Sequence, residues 1–262
     1  MSEEYPLISI VTPSLNQGSF LESAIRSVLD QNYPNLQYII IDGGSKDDSV
    51  SIIRSYEKHL DFWVSEKDRG QSHAINKGFI RSKGSILGWL NADDQLEPGA
   101  LHFIAKKFSS GSSWIAGASR IERPGKKEAY IKRPEKNLRT EDILPWFINW
   151  FPQPSTFWSR GLWEKAGPLN ESLHYVMDYD LWLKMSRFAV LETVPEILSS
   201  CRWHSGSKSY SQRTRVYREM AKVMRRHSVN RGLLPRAACY LGMCCKWLWD
   251  VGAALLKQGR PL

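Results

Sequence analysis

Apolar residues recur with two different periods over residues 7–90. Short runs rich in branched aliphatic and aromatic residues at 7–11, 36–41, 60–64 and 85–90 predict strands, and stretches with apolar residues at helical spacing separate them. This alternation predicts parallel strands joined by crossover helices that cover both faces of one sheet. The N-terminal half is therefore predicted to be an α/β domain.

Polar residues follow the end of each predicted strand. They are Thr12, Asn16, Asp42, Asp68 and the cluster at residues 91–94. Because ligands bind at the C-terminal ends of parallel strands, these side chains are expected to converge on one edge of the sheet. The chain has no G-x-G-x-x-G and no G-x-x-x-x-G-K-[ST] motif, which argues against a dinucleotide-binding fold and a P-loop ATPase.

The pattern changes beyond residue 110. Two antiparallel strands are predicted at residues 114–121 and 128–132, around a turn at 124–125. Helices are then predicted at residues 141–147, 160–165 and 179–188. We accordingly expect a domain of residues 1–209, with halves 1–110 and 111–209, followed by a tail of residues 210–262.

Positive charge gathers in the C-terminal part of the chain. The sequence has 36 Lys and Arg against 27 Asp and Glu, a net charge of +9, and basic residues cluster between Arg202 and Arg236. This suggests an anionic partner such as a nucleotide diphosphate, anionic lipid or nucleic acid. The tail combines a basic helix (213–226) with an apolar stretch (234–256). It is expected either to lie on a membrane surface or to pack on the domain or on a second subunit.

Composition only partly restricts the class of protein and its cellular compartment. The 11 Trp residues are consistent with a core, a sugar-stacking surface or a membrane-interface belt. The four Cys lack C-x-x-C spacing, which favours neither a zinc site nor a disulfide scaffold and fits a reduced cytosolic compartment. Residues 1–6 do not resemble a secretory signal, and no uncharged apolar stretch reaches the roughly 18 residues of a membrane span.

Adjacent carboxylates at residues 93 and 94 are the clearest candidate for chemistry. Asp93 and Asp94 follow an apolar strand, and two neighbouring carboxylates repel each other unless a cation or solvent neutralises them. Mg²⁺ or Mn²⁺ bridging carboxylate and diphosphate oxygens would remove this repulsion. The alternative is a turn that caps a helix near Pro98.

Three further positions each allow two interpretations. Asp42, followed by Gly43, either ends a strand in a turn or binds a base or ribose while glycine lets the backbone approach the ligand. Asp178 either caps a helix or acts as a general base. His204 is either structural or a neutral imidazole ligand of the metal.

Taken together, seven segments in this order resemble glycosyltransferase family 2, the inverting GT-A enzymes, over residues 6–209. They are residues 10–16 (IVTPSLN), 41–47 (IDGGSKD), 65–78 (SEKDRGQSHAINKG), 90–94 (LNADD), 153–158 (QPSTFW), 177–182 (MDYDLW) and 201–209 (CRWHSGSKS). Three residues depart from the family pattern: Gly43 and Asn91 stand where an aspartate is common, and Met177 where glutamate is often found. The third segment is most similar to members that build polysaccharides.

The resemblance implies a GT-A fold, a Rossmann-like mixed sheet flanked by helices, with a C-terminal helical tail. It implies Asp178 as catalytic base, Asp93, Asp94 and His204 as metal ligands, and Gln153 and Trp182 as acceptor contacts. The implied nucleotide-sugar contacts are Thr12, Pro13, Ser14, Asn16, Asp42, Gly43, Asp68, Gln71, Asn76, Lys77 and Asp93.

The implied activity is metal-dependent transfer of a sugar, with inversion, from a UDP-, GDP- or dTDP-sugar to an acceptor hydroxyl. A glycan or lipid-linked acceptor is expected, as in the assembly of cell-surface polysaccharide, O-antigen or lipid-linked glycan. The expected location is cytoplasmic, with peripheral attachment to the inner membrane left open. The first alternative is a nucleotidyltransferase acting on sugar phosphates, although residues 12–18 lack its basic Gly-rich loop. The second and less favoured is a basic nucleic-acid-binding protein; no such module is recognised, so nucleic acid is not an expected partner.

Overall fold

Four parallel strands with intervening helices form the N-terminal half of the sheet. The structure is a computed structural model that describes residues 5–123, 125–126, 128–135, 137–145, 150–204, 206–207 and 211–228. The strands are β1 (Ile8–Ser14), β2 (Leu36–Asp42), β3 (Phe62–Ser65) and β4 (Ile86–Trp89), and the helices are α1 (Gly18–Leu29), α2 (Ser49–Ser55) and α3 (Gln71–Arg81). The strands pair in parallel in the order β3-β2-β1-β4, which confirms the predicted crossover arrangement.

The second half extends the same sheet with mixed pairing. Its strands are β5 (Asp94–Leu96), β6 (Trp114–Glu122), β7 (Tyr130–Lys132), β8 (Thr156–Ser159) and β9 (Glu192–Arg202). Its helices are α4 (Ala100–Ser109), α5 (Thr140–Ile143), α6 (Arg160–Ala166), α7 (Met177–Met185) and α8 (Arg213–His227). The sheet continues from β4 in the order β8-β6-β9-β5, and β7 pairs with β6. The antiparallel pairing of β6 and β7 confirms the predicted hairpin, whose turn residue Pro124 lies outside the described residues.

The sequence pattern did not predict β5, β8 or β9. β5 is only three residues long, and β8 has four. In β9, Pro195 removes a backbone donor, and the β6 register jumps there from Ala116 opposite Thr193 to Ala118 opposite Ile197. β9 therefore bulges where its sequence looks least like a strand, and continues to Arg202 at the edge of the predicted site.

Two hydrophobic clusters cover the two faces of the sheet. Alternate residues of β1 enter different clusters: Val11 packs with residues of α3, α7 and α8, whereas Ile10 packs with residues of α1 and α4. Trp182 of α7 stacks on Trp89 with ring centroids 5.8 Å apart, and Trp158 meets it edge-on at 5.4 Å. Tryptophan therefore supplies much of the core directly beneath the strand ends.

Helix α8, the described part of the predicted tail, packs on the same core, which is one of the alternatives considered for the tail. Its Met220, Val223 and Met224 are buried in the cluster that contains α7. The rest of the predicted tail, including residues 234–256 and Cys239, Cys244 and Cys245, lies outside the described residues. Within the described part, no helix has the length and apolar character needed to cross a bilayer.

Candidate functional site

A cleft of about 920 Å³ opens where β1 and β4 end. Its N-terminal half is lined by Pro13, Ser14, Asp68, Gln71 and residues 91–94. Gln153, Asp178 and parts of α8 line it from the second half of the chain. The expected convergence at the strand ends is thus observed for Asp68 and the 91–94 cluster, while the other wall comes from residues beyond 120.

Thr12, Asn16 and Asp42 build the loops behind the cleft. The Thr12 hydroxyl, fully buried, lies 3.0 Å from the hydroxyl of Tyr38. Asn16 has a positive φ of 52° and joins two loops, because its N–H donates to Ser45 Oγ and its Oδ1 accepts from the Lys46 N–H. The Asp42 carboxylate, also fully buried, accepts from the N–H groups of Gly44 and Ser45 and from the hydroxyls of Ser45 and Ser65. These side chains hold the β1 and β2 loops together.

Gly43 allows the close approach of Asp68. A Cβ on Gly43 would lie 2.7 Å from Asp68 Oδ2, so any larger residue would push this carboxylate away. Asp68 Oδ1 accepts from the N–H of Gly70, whose φ of 116° favours glycine. Gly43 therefore replaces the common aspartate at a position where a second carboxylate would face Asp68.

An amide network surrounds Asp94. Gln71 Nε2 donates to Asn91 Oδ1 at 2.8 Å, and Asn91 Nδ2 lies 3.1 Å from Asp94 Oδ2 and 3.2 Å from Gln153 Oε1. Gln153 Nε2 donates to the Trp89 carbonyl, which fixes its orientation. Asn91 thus donates a hydrogen bond to Asp94, which an ionised aspartate at position 91 could not do.

Asp93 and Asp94 occupy different environments. Asp93 Oδ2 lies 3.1 Å from His204 Nε2, while Asp94 begins β5 and pairs in the sheet with Cys201. Burial raises the pKa of the Asp94 carboxyl well above its usual value, and the neighbouring Asp93 charge raises it further. Hydrogen bonds from Asn91 and the Arg202 backbone act in the opposite direction but do not cancel the increase. The turn that was considered as an alternative does not cap α4, since Gly99 stands before that helix.

These residues fit a divalent cation in part. Two carboxylates and an imidazole supply the O and N donors that Mg²⁺ or Mn²⁺ accepts, and a cation would relieve the penalty on Asp94. No group of three or more His, Cys, Asp and Glu side chains is arranged to hold a metal anywhere in the described chain. The protein would therefore provide few ligands, as is usual for Mg²⁺ sites completed by substrate phosphates and water.

Asp178 stands on the first turn of α7 and lines the cleft. Its Oδ1 accepts from the N–H of Tyr179, while Val176 occupies the N-cap, so Asp178 is not the cap. Burial raises the pKa of Asp178 to about 6 against these local hydrogen bonds. A carboxyl group with this pKa is ionised at neutral pH and still basic enough to accept a proton.

Comparison with known families supports the resemblance read from the sequence. Residues 9–161 match the family model described as Glycosyl transferase family 2. The chain belongs to glycosyl transferase family 2. An uncharacterised glycosyltransferase of Rickettsia bellii is 30% identical over 222 residues, which cover 80% of this chain and 32% of that protein. The chain thus spans about a third of the length of that curated relative.

Solved structures show the fold of this family 2 chain. S. aureus TarS 1–349 in complex with UDP-GlcNAc matches with a TM-score of 0.70 at 14% identity, covering 87% of this chain and 68% of that one. The mannosyltransferase PcManGT from Pyrobaculum calidifontis, in complex with GDP-Man and Mn²⁺, matches with a TM-score of 0.62 at 16% identity, covering 96% and 81%. With the mixed, helix-flanked sheet, these matches confirm the GT-A fold.

Three residues that the family 2 motifs placed at the site lie away from the cleft. Asn76 joins α3 to the following half, since its Nδ2 donates to the Leu169 carbonyl and its Oδ1 accepts from the Leu169 N–H. Lys77 forms an ion pair with Glu66. Trp182 is fully buried among aromatic rings, one helical turn beyond Asp178. None of the three lines the cleft, and in this structure their side chains support its walls. Their expected contacts with donor or acceptor stay predictions.

Several cleft residues escaped the sequence analysis of this family 2 member. Gln17 lines the cleft, and its Oε1, like the Oγ of the expected residue Ser14, is buried and has no hydrogen-bond partner among the described residues. Tyr175 and the α8 residues Val216 and Tyr217 also line it. Gln17, Tyr175, Val216 and Tyr217 lie outside the recognised motifs. Nothing in the local pattern around residue 175 or 217 indicates a site, because their position depends on how α7 and α8 pack.

Proposed function

We propose that this chain is an inverting glycosyltransferase that moves a sugar from a nucleotide-diphosphate sugar to an acceptor hydroxyl. One observation carries the proposal: Asp178, with its raised pKa, shares one cleft with the carboxylate pair that follows β4. A base and a site for developing negative charge are the two groups that direct displacement at an anomeric carbon requires. Membership of family 2 and the GT-A fold support the same reaction.

The donor is assigned to the wall formed by the β1 end and the Asp68 loop. Ser14 Oγ and Gln17 Oε1 are buried polar atoms without partners in the described structure, so a ligand that bonds to them would remove a desolvation cost. Asp68 and Gln71 line the same wall, and Asp93 follows β4. The TarS and PcManGT structures hold UDP-GlcNAc and GDP-Man respectively. UDP-, GDP- and dTDP-sugars are the proposed classes.

Asp94 and Asp93, with His204, are the proposed holders of Mn²⁺ or Mg²⁺. When bound, this cation would stabilise the negative charge that develops on the leaving diphosphate. Asn91 and the Arg202 backbone orient the Asp94 carboxylate through hydrogen bonds. The tilted ring contact with Phe20, at 4.6 Å between centroids, restricts His204.

Asp178 is the proposed base. Its carboxylate accepts the proton of the acceptor hydroxyl as the oxygen bonds to the anomeric carbon and the bond to the diphosphate breaks. Because the hydroxyl attacks from the face opposite the leaving group, the anomeric configuration inverts. Gln153, held by the Trp89 carbonyl, lines the same cleft and is proposed to orient the acceptor. Glycans, including lipid-linked ones in polysaccharide assembly, are the proposed acceptor class.

A donor screen tests this function directly. Purified protein is incubated with UDP-, GDP- and dTDP-sugars and Mn²⁺ or Mg²⁺, and release of nucleoside diphosphate is measured with and without candidate glycans. We expect release from one nucleotide class, faster with acceptor, and a product of inverted configuration by NMR. Retained configuration would refute the single-base scheme. Release of pyrophosphate from nucleoside triphosphate and sugar phosphate would instead identify a nucleotidyltransferase.

A further inference from the structure

One wall of the cleft combines aromatic rings with cations. Arg123, Lys126, Tyr130, Trp150 and Trp203 line the cleft together, and we call them the aromatic–cation wall. They come from four places in the chain: the segment between β6 and β7, the start of β7, the segment before residue 153 and the segment after β9. None belongs to the proposed donor wall or to the Asp93–Asp94 pair. The topology therefore assembles a second binding surface within the same cleft.

Contacts within the wall keep ring faces and cations together. The Arg123 guanidinium carbon lies 4.1 Å from the Tyr130 ring centroid and 5.3 Å from that of Trp203. Trp150 and Trp203 are neighbours, with centroids 6.4 Å apart and planes tilted by 32°. Lys132, just behind the wall, places its Nζ 5.1 Å from the Trp150 centroid. Such cation–π contacts orient the cations without neutralising their charge.

The positive charge of this wall is not balanced by close carboxylates. Within the described ranges, no Asp or Glu forms an ion pair with Arg123, Lys126 or Lys132, whereas nearby Arg120 and Arg202 pair with Glu97 and Glu122. Burial also lowers the pKa of Lys132, although Glu135 opposes this effect. Arg123 and Lys126 are exposed, so their charges are accessible to a ligand in the cleft. Accessible cations beside aromatic rings favour an anion attached to an apolar or sugar surface.

We propose that the aromatic–cation wall binds an acceptor in which a phosphate group is attached to a sugar ring. The rings of Trp150 and Trp203 would cover a pyranose face, while Arg123 and Lys126 contact the phosphate oxygens. This proposal rests on the proposed glycosyltransferase function and narrows its acceptor to phosphate-bearing saccharides. The phosphate belongs to the acceptor, since the donor diphosphate is assigned to the other wall.

Binding of small probes tests the wall without requiring turnover. Sugar 1-phosphates of glucose, galactose, mannose and N-acetylglucosamine are titrated calorimetrically into full-length protein, each beside the matching methyl glycoside. Excess UDP and Mg²⁺ are present throughout to occupy the donor wall. We expect at least one 1-phosphate to bind about tenfold more tightly than its methyl glycoside, the effect of one charge-assisted contact.

Matched variants locate the effect. Arg123→Ala should remove the roughly tenfold preference for phosphate, while Trp150→Ala should weaken both members of each pair by a similar factor. Arg120→Ala removes the same charge three residues earlier, on β6 and outside the cleft, and should change neither. Equal binding of phosphate and methyl glycoside, absence of binding by all pairs, or equal effects of Arg123→Ala and Arg120→Ala would overturn the proposal.

Competition identifies the source of the phosphate. If farnesyl diphosphate displaces the bound sugar 1-phosphate, the phosphate of the natural acceptor is assigned to a lipid carrier. If a glycerol phosphodiester displaces it, that phosphate is assigned to a polymer. Failure of both competitors contradicts the proposal. The donor screen tests the proposed glycosyltransferase function separately. If that function is wrong, no nucleoside diphosphate is released in the screen, whatever the aromatic–cation wall binds.

Discussion

Replacement of Asp178 by Asn removes the proposed base while preserving the size and shape of the side chain. The amide cannot accept the acceptor proton, so kcat should fall by about 10³-fold, the usual scale for loss of a general base. Donor binding should persist, because Asp178 lies on α7 and the donor is assigned to the β1 and Asp68 loops. In the unchanged protein, kcat/KM should rise with pH to a plateau above about 6, as Asp178 ionises.

The same substitution should increase stability at neutral pH. Burial raises the Asp178 pKa from 3.8 to about 6 in the fold. An acid whose pKa is raised by folding keeps its proton longer in the folded state, so its contribution to stability is lost as pH rises between about 4 and 6. At about 1.4 kcal/mol per pKa unit, two units cost up to about 3 kcal/mol. Because the carboxylate faces a wet cleft, we expect Asp178→Asn to gain about 2 kcal/mol at pH 8 and almost nothing near pH 4.

Two measurements check this pair of effects on one sample. Urea unfolding of both proteins at pH 4 and pH 8 gives the stability difference, and nucleoside diphosphate release with acceptor gives kcat. Glu164→Gln, an exposed carboxylate on α6, makes the same change of charge and is the control. Near-normal turnover by Asp178→Asn would refute the assignment of the base, and a stability difference independent of pH would refute the burial argument.

Four further predictions follow from contacts in and around the cleft. Gly43→Ala should displace Asp68 and raise the donor KM several-fold, with thermal unfolding nearly unchanged; a normal KM would show that this carboxylate does not serve the donor. Glu219→Gln should cost about 1–2 kcal/mol in urea unfolding, because the Glu219 carboxylate accepts the N–H groups of His174 and Tyr175; no loss would mean that α8 is held by its apolar contacts and the Asp180–His227 contact. EDTA should stop nucleoside diphosphate release, and Asp94→Asn should raise the Mn²⁺ or Mg²⁺ concentration needed for half-maximal release by about tenfold or more; activity in EDTA would exclude metal dependence. Finally, a chain shortened after residue 230 should lose co-sedimentation with anionic liposomes while α8 keeps the fold intact, and equal sedimentation of both chains would place any membrane contact elsewhere.

Most of the N-terminal half of the fold could be predicted from the sequence. β1 and β2 have seven residues each and the short β3 and β4 are apolar runs separated by amphipathic helices, so their regular alternation predicted the parallel sheet correctly. β5 has only three residues, β8 is a four-residue strand outside the regular alternation of strands and helices, and β9 contains Pro195 at a bulge. These strands form because their partners in the sheet are already in place, and a local pattern does not contain that information.

Prediction of the site shows the same division. Residues that follow strand ends, such as Asp68 and Asp93, were placed correctly because a parallel sheet brings its strand ends together. Asn76 and Lys77 lie on α3, where one residue turns the side chain by about 100°, so their order along the chain did not reveal which face they occupy. The aromatic–cation wall was equally hidden, since its segments meet only through the pairing of β6 with β7 and β9.

Two aspartates on α7 differ in their surroundings and in their proposed roles. Asp180 is fully buried, yet a hydrogen bond from His227 at 3.0 Å and the charge of Lys184 outweigh burial and hold its pKa below the usual value. Asp178, two residues earlier, forms no ion pair within the described ranges, and burial raises its pKa. Neighbouring carboxyl groups whose pKa values are driven apart have different tasks. Asp180 stays ionised and fastens α7 to α8, which leaves Asp178 as the carboxyl group on this helix suited to exchange a proton.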